Sequence, residues 1–346
     1  MKVTVIGAGN TGKSMVCFLK QIGHDANLYE RNEEKVHLIK EKGITDSGSF
    51  KGHYEVEIST DLKALISGRD MIFVNTTSDA HVEIAKNLKN ILQENQSIVV
   101  LNGNWGAYEF YKVLKDEIKN LNLALAETSG MIFTSKFISD TEVLSAKKET
   151  VDLGVLDNGN SNKIIEFFKD NMTNVNLYKD IISSSLNASN PVIHVPIVAA
   201  NLTRIEAGED FKFYGPAASK LAVDYIVNMD KERLNLCDKL GVKTQSILDI
   251  INGSWKIKHN NLYDALHKNE SYKLAMGPKT LNHRYIFEDI PYGIYPIKYL
   301  SEKAQLDTPY LDGLLDFLDK YLEGFDLKDQ VFELDYETVK NLISRK

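Results

Sequence analysis

Residues 1–30 read MKVTVIGAGNTGKSMVCFLKQIGHDANLYE, and the order of apolar, glycine and charged positions in them decides the architecture. Residues 3–6 form a short β-branched apolar run, and residues 7–12 a glycine turn. Residues 13–22 carry apolar side chains at helical spacing, and residues 26–29 form a second apolar run. Strand, turn, helix and strand make one βαβ unit. Gly7, Gly9 and Gly12 stand as G-x-G-x-x-G where strand gives way to helix. That spacing lets the backbone approach a pyrophosphate and points helix N-terminal amides at it. Asn10 and Thr11 lie inside the same turn and join the candidate cofactor contacts. Glu30 ends the second strand about twenty residues on, the place from which a carboxylate accepts hydrogen bonds from adenosine ribose hydroxyls. A 2′-phosphate would meet that carboxylate, which favours NAD; Arg31, the next residue, is the kind of group that pairs with the 2′-phosphate of NADP. The expected cofactor is therefore NAD(P)H, with NAD slightly favoured. The alternative readings are a tight turn that holds no ligand and, for Arg31, a solvated charge at a helix start.

Working outward, residues 71–74, 97–101 and 121–126 are apolar enough for buried parallel strands, and helix-period segments such as 81–92 separate them. Such alternation predicts a doubly wound α/β Rossmann domain. Residues 54–58, 131–134, 142–146, 150–156 and 174–177 suit additional strands, and 161–170 a helix. Beyond Ile182 strand alternation ceases, and 191–206, 216–240, 244–251, 291–304, 309–321 and 336–345 all suit helices. Prolines at 191, 216, 291 and 309 sit where a helix could begin, because a first-turn proline loses no intrahelical bond. The expectation is a Rossmann domain over residues 1–182 and a mostly α-helical C-terminal domain over 183–346.

The totals agree with two domains: 346 residues, 43% hydrophobic and 26% charged, without low-complexity runs. A formal net charge of −7 argues against nucleic acid or an anionic membrane as partner and leaves small acids as substrates. Cys17 and Cys237 are the two cysteines, and Cys17 falls in the first predicted helix, so the simple reading is a reducing cytoplasm. The N-terminal apolar stretch is too short for a signal-peptide core, and no run is long enough to span a membrane. The eight histidines show no HxH or HxxxH spacing, and no CxxC occurs, so no metal site is expected. A homodimer is compatible with this composition.

Two further segments carry chemistry. In SLNASNPVIHVP (185–196), Asn190 and His194 are four residues apart and share a helix face, so an amide and an imidazole could converge on a ligand between the domains. The alternative is a hydrogen-bonded core histidine. In NHRYIFEDIPYGIYP (282–296), Arg284 could hold a carboxylate by a bidentate fork, and Asp289 could orient an imidazole. Its alternative is a surface helix start capped by Asp289.

Taken together, these segments resemble the octopine/nopaline (opine) dehydrogenase family. The resemblance is carried by GAGNTG (7–12), TTSDAH (76–81), LNGNWGA (101–107), AETSGMIF (126–133), NPVIH (190–194) and RYIFEDIPYG (284–293). It implies a Rossmann half and a helical half, and NAD(P)H-dependent reductive condensation of a 2-oxo acid, such as pyruvate, with an amino acid. Residue by residue it implies His194 as catalytic, Asp289 as its partner, and Arg284 as a reader of substrate carboxylate, with Asn190 nearby. Glu127 and Thr128 match positions bordering the nicotinamide and the amino substrate. Thr76 and Asn102 fall in the cofactor-contacting turns. The sequence departs from the family at Glu30, where aspartate is common, and at TTSD, which replaces a more usual Thr-Pro-Ala. Two other readings stay open: a reductase of a simple 2-oxo acid or ketone, resembling ketopantoate reductase and using a lysine such as Lys220, and a dinucleotide-binding regulator without catalysis.

Overall fold

The computed structural model describes residues 1–156, 160–273 and 275–344, so Arg345, the end of the last predicted helix, lies outside the described residues. The chain divides into two units, Met1–Ser184 and Ser185–Lys346. The first contains β1 (Lys2–Ile6), α1 (Asn10–Gln21), β2 (Asp25–Tyr29), α2 (Glu33–Lys42), β3 (Ile44–Asp46), β4 (Gly52–Tyr54), β5 (Glu57–Ser59) and α3 (Leu62–Ile66). It continues through β6 (Met71–Val74), α4 (His81–Leu88), β7 (Ser97–Val100), α5 (Gly106–Asn120), β8 (Ala124–Thr128), β9 (Phe133–Ser139), β10 (Glu142–Lys147), β11 (Thr150–Leu156), α6 (Asn162–Asn171) and β12 (Asn174–Tyr178). The helix α7 (Ile181–Leu186) spans the boundary.

The central strands are apolar on both faces because both faces are covered: β6 and β7 are buried at every position. The large sheet has the order β12-β11-β8-β7-β6-β1-β2-β5. From β5 to β8 it is parallel and follows the dinucleotide-binding strand order, with the order of strands, not their direction, reversing at β1 and β6. At the far edge β11 runs antiparallel to β8, so the sheet is mixed. A smaller sheet, β4-β3-β10-β9, packs alongside α1. One face of α1 (Met15, Val16, Phe18 and Leu19) enters a core shared with Val3, Val5, Phe73 and Val99.

Several predicted elements change extent for local reasons. The single strand expected over 54–58 is two strands, β4 in the small sheet and β5 in the large one. The helix expected over 81–92 ends at Leu88. The strand expected over 131–134 runs instead from Phe133 to Ser139, because hairpin pairing with β10 extends it into an exposed edge.

The second unit is helical, in agreement with the sequence reading: α8 (Ser189–Ala199), α9 (Leu202–Glu206), α10 (Lys220–Leu240), α11 (Ile247–Trp255), α12 (Leu262–His267), α13 (Arg284–Phe287), α14 (Tyr295–Lys303), α15 (Pro309–Tyr321) and α16 (Tyr336–Ile343). The helix expected over 191–206 is broken, because Asn201 leaves helical geometry and its Nδ2 donates to the carbonyls of Ile197 and Ala217. Pro216 does not begin a helix; Ser219 caps α10, accepting from the Ala222 amide, and Pro216 lies in the preceding turn. Pro309 does open α15. Residues Ile290–Ile294 form a π-helical turn ahead of α14, carrying Pro291. Among the described residues no helix is long and apolar enough to cross a membrane.

Candidate active site

Gly7 has φ +104, and a Cβ there would lie 2.6 Å from the Asn75 carbonyl oxygen; a Cβ on Gly12 would lie 1.8 Å from the Gly7 oxygen. Only glycines allow this turn to close against the end of β6. Over Gly9, by contrast, a Cβ would meet nothing within 4 Å. Gly9 is the N-cap of α1 and supplies no side-chain acceptor, so the first amides of the helix, those of Asn10, Thr11 and Gly12, are not capped by a side chain and carry the positive end of the helix dipole. Beside the turn, the buried Asn75 Nδ2 and Thr76 Oγ1 have no hydrogen-bond partner among the described residues. An open glycine-lined helix start next to unpartnered polar atoms fits a pyrophosphate and its ribose.

Glu30 is held at the same edge: its carboxylate accepts from the Ala8 amide at 3.3 Å and the Asn32 amide at 3.0 Å. A carboxylate has further lone pairs for ribose hydroxyls. Arg31 is exposed.

The sequence-predicted Asn102 opens a left-handed turn in which Asn102, Gly103, Asn104 and Trp105 all have positive φ. Each non-glycine residue costs about 1–2 kcal/mol in that conformation, so something must brace it. Glu127 and Thr128 do: the Asn102 amide donates to Thr128 Oγ1 at 3.1 Å, and the Ala107 amide to Glu127 Oε2 at 2.8 Å. The other Glu127 oxygen accepts from Ser184 Oγ at 3.2 Å. Both residues are fully buried at the end of β8. These hydrogen bonds shape the 102–107 turn.

In the second unit four sequence-predicted residues come together. His194 lies in the middle of α8, and Asn190 stands one turn earlier, half-buried. Asp289 sits between α13 and the π turn and does not cap a helix with its side chain. Instead its Oδ2 lies 2.7 Å from His194 Nδ1. Close approach makes this possible: a Cβ on Gly293 would fall 2.3 Å from Pro191 Cβ, so the π turn reaches α8 only because residue 293 has no side chain. His194 and Asp289 are 3% and 1% exposed, which places the pair in a low-dielectric setting. Arg284 is different. Its side chain is 43% exposed, and Glu288 is 3.9 Å away, too far for a hydrogen bond, so the fork is accessible to an anion.

Burial pushes the His194 imidazole below its ordinary pKa; the Asp289 charge and hydrogen bond oppose this, and Arg284 adds to it. The neighbouring His283 is lowered to about 4, through burial and the Arg284 charge. At neutral pH His194 is thus a neutral base with a carboxylate behind it.

The sequence reading missed Tyr214, whose hydroxyl lies 2.9 Å from His194 Nε2, and did not single out the stacking of Tyr285 on the imidazole at 4.1 Å. Tyr272 and Phe213 complete an aromatic wall. The only local signal was FKFYGP (211–216), aromatic residues ahead of a Gly-Pro turn. Lys220 lies elsewhere: 78% exposed at the start of α10, it pairs with Asp224 at 2.6 Å.

Residues 177–322 match the family described as NAD/NADP octopine/nopaline dehydrogenase, alpha-helical domain. Over those residues the chain is similar to the octopine/nopaline dehydrogenases. Residues 2–131 match the description NAD-dependent glycerol-3-phosphate dehydrogenase N-terminus. The opine dehydrogenase of Arthrobacter sp. (strain 1C) is 24% identical over 324 residues, covering 92% of this chain and 90% of that one. Among solved structures, octopine dehydrogenase in complex with NADH and agmatine superposes with a TM-score of 0.78 at 16% identity, covering 100% and 98% of the two chains. A structure of octopine dehydrogenase with NADH and pyruvate gives 0.74 at 16% identity over 98% and 94%. At that identity the structures share the fold. The protein is an NAD(P)-dependent oxidoreductase.

Proposed function

We propose that the protein is an opine dehydrogenase that condenses a 2-oxo acid such as pyruvate with the amino group of an amino acid and reduces the product with NAD(P)H. The observation that carries this reading is the buried His194–Asp289 pair beside an accessible Arg284. Dinucleotide binding is assigned to residues 1–182 and proton transfer to residues 183–346. In the first, the amides of Asn10, Thr11 and Gly12 bind the pyrophosphate, Glu30 the adenosine ribose, and Thr76 and Asn102 border the rest of the cofactor. Glu30 favours NADH slightly over NADPH.

The proton inventory supports the same roles. An amino acid arrives as an ammonium ion and must lose a proton before its nitrogen can attack the oxo carbon. His194, neutral at rest because of its burial, accepts that proton. The resulting imidazolium is stabilised by Asp289, which also fixes Nδ1 as the hydrogen-bearing nitrogen. It then returns the proton to the carbinolamine hydroxyl, which leaves as water, and an iminium ion remains. The bound reduced nicotinamide supplies the hydride for that carbon. Arg284 holds the 2-oxo acid carboxylate by its planar fork, and Asn190 offers an amide one helical turn from the imidazole. A lysine-dependent reduction of a simple ketone is disfavoured, because Lys220 is exposed and paired on the surface.

The test is NADH and NADPH oxidation with pyruvate, with and without each of the amino acids. Strong acceleration by a particular amino acid is expected. Equal reduction of pyruvate without any amine would make the product a hydroxy acid and refute the reading.

A further inference from the structure

The His194 imidazole has no free nitrogen. Nδ1 lies 2.7 Å from Asp289 Oδ2 and Nε2 lies 2.9 Å from Tyr214 Oη. A carboxylate only accepts, so Nδ1 carries the hydrogen, Nε2 presents its lone pair, and the Tyr214 hydroxyl donates to it. The imidazole faces are covered as well, by Tyr285 at 4.1 Å and Phe213 at 5.6 Å between ring centroids. His194 is 3% exposed, whereas Tyr214 is only partly buried. A proton leaving Nε2 therefore meets the tyrosine hydroxyl first.

The hydroxyl is also fixed in place. The Tyr214 ring stacks on Tyr272 at 4.2 Å and 22°, with the Phe213 ring edge-on at 5.1 Å and 83°. Tyr272 is in turn anchored by Trp255, whose Nε1 donates to its hydroxyl at 3.2 Å. A ring clamped this way carries protons more readily than it swings aside as a gate.

We propose that Tyr214 is the terminal member of an Asp289–His194–Tyr214 proton relay and is the group that touches the reacting nitrogen and oxygen of the substrate. The proposal rests on His194 being the acid–base group. In the first transfer the Tyr214 O–H bond breaks toward Nε2 while the phenol oxygen takes a proton from the substrate ammonium. Tyrosine is regenerated neutral, and the positive charge moves from the ammonium to the imidazolium. In the second, the Nε2 proton returns to the phenol oxygen as Tyr214 protonates the carbinolamine hydroxyl. The C–O bond breaks, water leaves, and the nitrogen lone pair forms the C=N bond, so the charge ends on the iminium ion. Burial raises the Tyr214 pKa well above its ordinary value, so a free tyrosinate is disfavoured and the two proton movements are coupled. The titratable and charged groups facing this relay are Asp289, Arg284, His283, Tyr272 and Tyr285.

Tyr214→Phe removes one oxygen and keeps the clamped ring. With NADH, pyruvate and a mixture of the twenty amino acids, kcat is expected to fall about a hundredfold, with KM for pyruvate and affinity for NADH within about threefold of the parent. A variant equal to or faster than the parent, alongside an inactive His194→Ala, would overturn the relay alone. Full activity of His194→Ala would overturn the acid–base reading beneath it. A measurement independent of turnover is the 15N spectrum of histidine-labelled protein. The His194 Nε2 resonance should show an unprotonated, hydrogen-bonded nitrogen that moves toward the free value in Tyr214→Phe while Nδ1 stays protonated. An Nε2 resonance identical in the two proteins would refute the contact on which the relay depends.

Discussion

Replacing Asp289 by Asn tests the central pair with little change of shape. Asn Oδ1 can still accept from His194 Nδ1, so the perturbation is chiefly the loss of a negative charge 2.7 Å from the imidazole in a site where the partners are 3% and 1% exposed. A hydrogen bond to a charged group contributes about 1.5–3 kcal/mol and a neutral one about 1 kcal/mol. The substitution therefore removes about 0.5–2 kcal/mol of preference for the imidazolium. At 1.36 kcal/mol per unit, that lowers the His194 pKa by about one unit. The direction follows because Asp289 opposes the lowering that burial imposes. The neutral base is the competent resting form, so activity is lost as pH falls through this pKa, and the acid limb of kcat/KM should move about one pH unit lower. Turnover at its maximum should fall at least tenfold, since the imidazolium formed during the cycle loses its stabilising charge. The assay is a pH titration of the His194 ring signals by NMR in parent and variant, paired with the kinetic profile. An unmoved His194 titration would refute the coupling, and an unmoved acid limb beside a moved titration would show that His194 is not the kinetically visible base.

Gly12→Val should abolish NAD(P)H binding while leaving a folded second unit, because even a Cβ falls 1.8 Å from the Gly7 oxygen; fluorescence titration with circular dichroism checks both, and Glu30→Ala should weaken NADH more than NADPH. Arg284→Lys should raise KM for the 2-oxo acid about tenfold with a smaller effect on kcat, since an ammonium cannot reproduce the planar fork; equal KM in the two proteins would remove Arg284 from carboxylate binding. Stability should fall as pH drops from about 6.5 toward 4. His194 and His283 both have pKa values below the unfolded histidine, His283 at about 4. The unfolded chain therefore binds these protons first, and the folded state loses ground until its own sites titrate. Melting temperatures across that range, flattened in His283→Gln, are the check.

What the sequence determined by itself is the set of features written in short stretches. The strand, glycine turn, helix and Glu30 of residues 2–30 need only local sterics and period, and the structure places them within three residues, the helix beginning at Asn10 rather than residue 13. The change from alternating strands and helices to helices alone is likewise a matter of local pattern. His194, Asp289 and Arg284 were legible as candidates through motif resemblance, which ranks residue types in order along the chain. Tertiary structure decided how they meet. Residues 95 positions apart reach hydrogen-bonding distance because Gly293 lets a π turn close on Pro191, and no local propensity encodes that approach. The same holds for helix limits: 191–206 lacks strand alternation and suits one helix, yet Asn201 breaks it to reach the carbonyl of Ala217. Glu127 was singled out by resemblance alone, and only the folded chain shows that it also braces the 102–107 turn, accepting from the Ala107 amide and Ser184 Oγ. Tyr214 could be found only in three dimensions, because an aromatic residue in a turn signals burial, and what makes this one chemical is the nitrogen 2.9 Å from its hydroxyl.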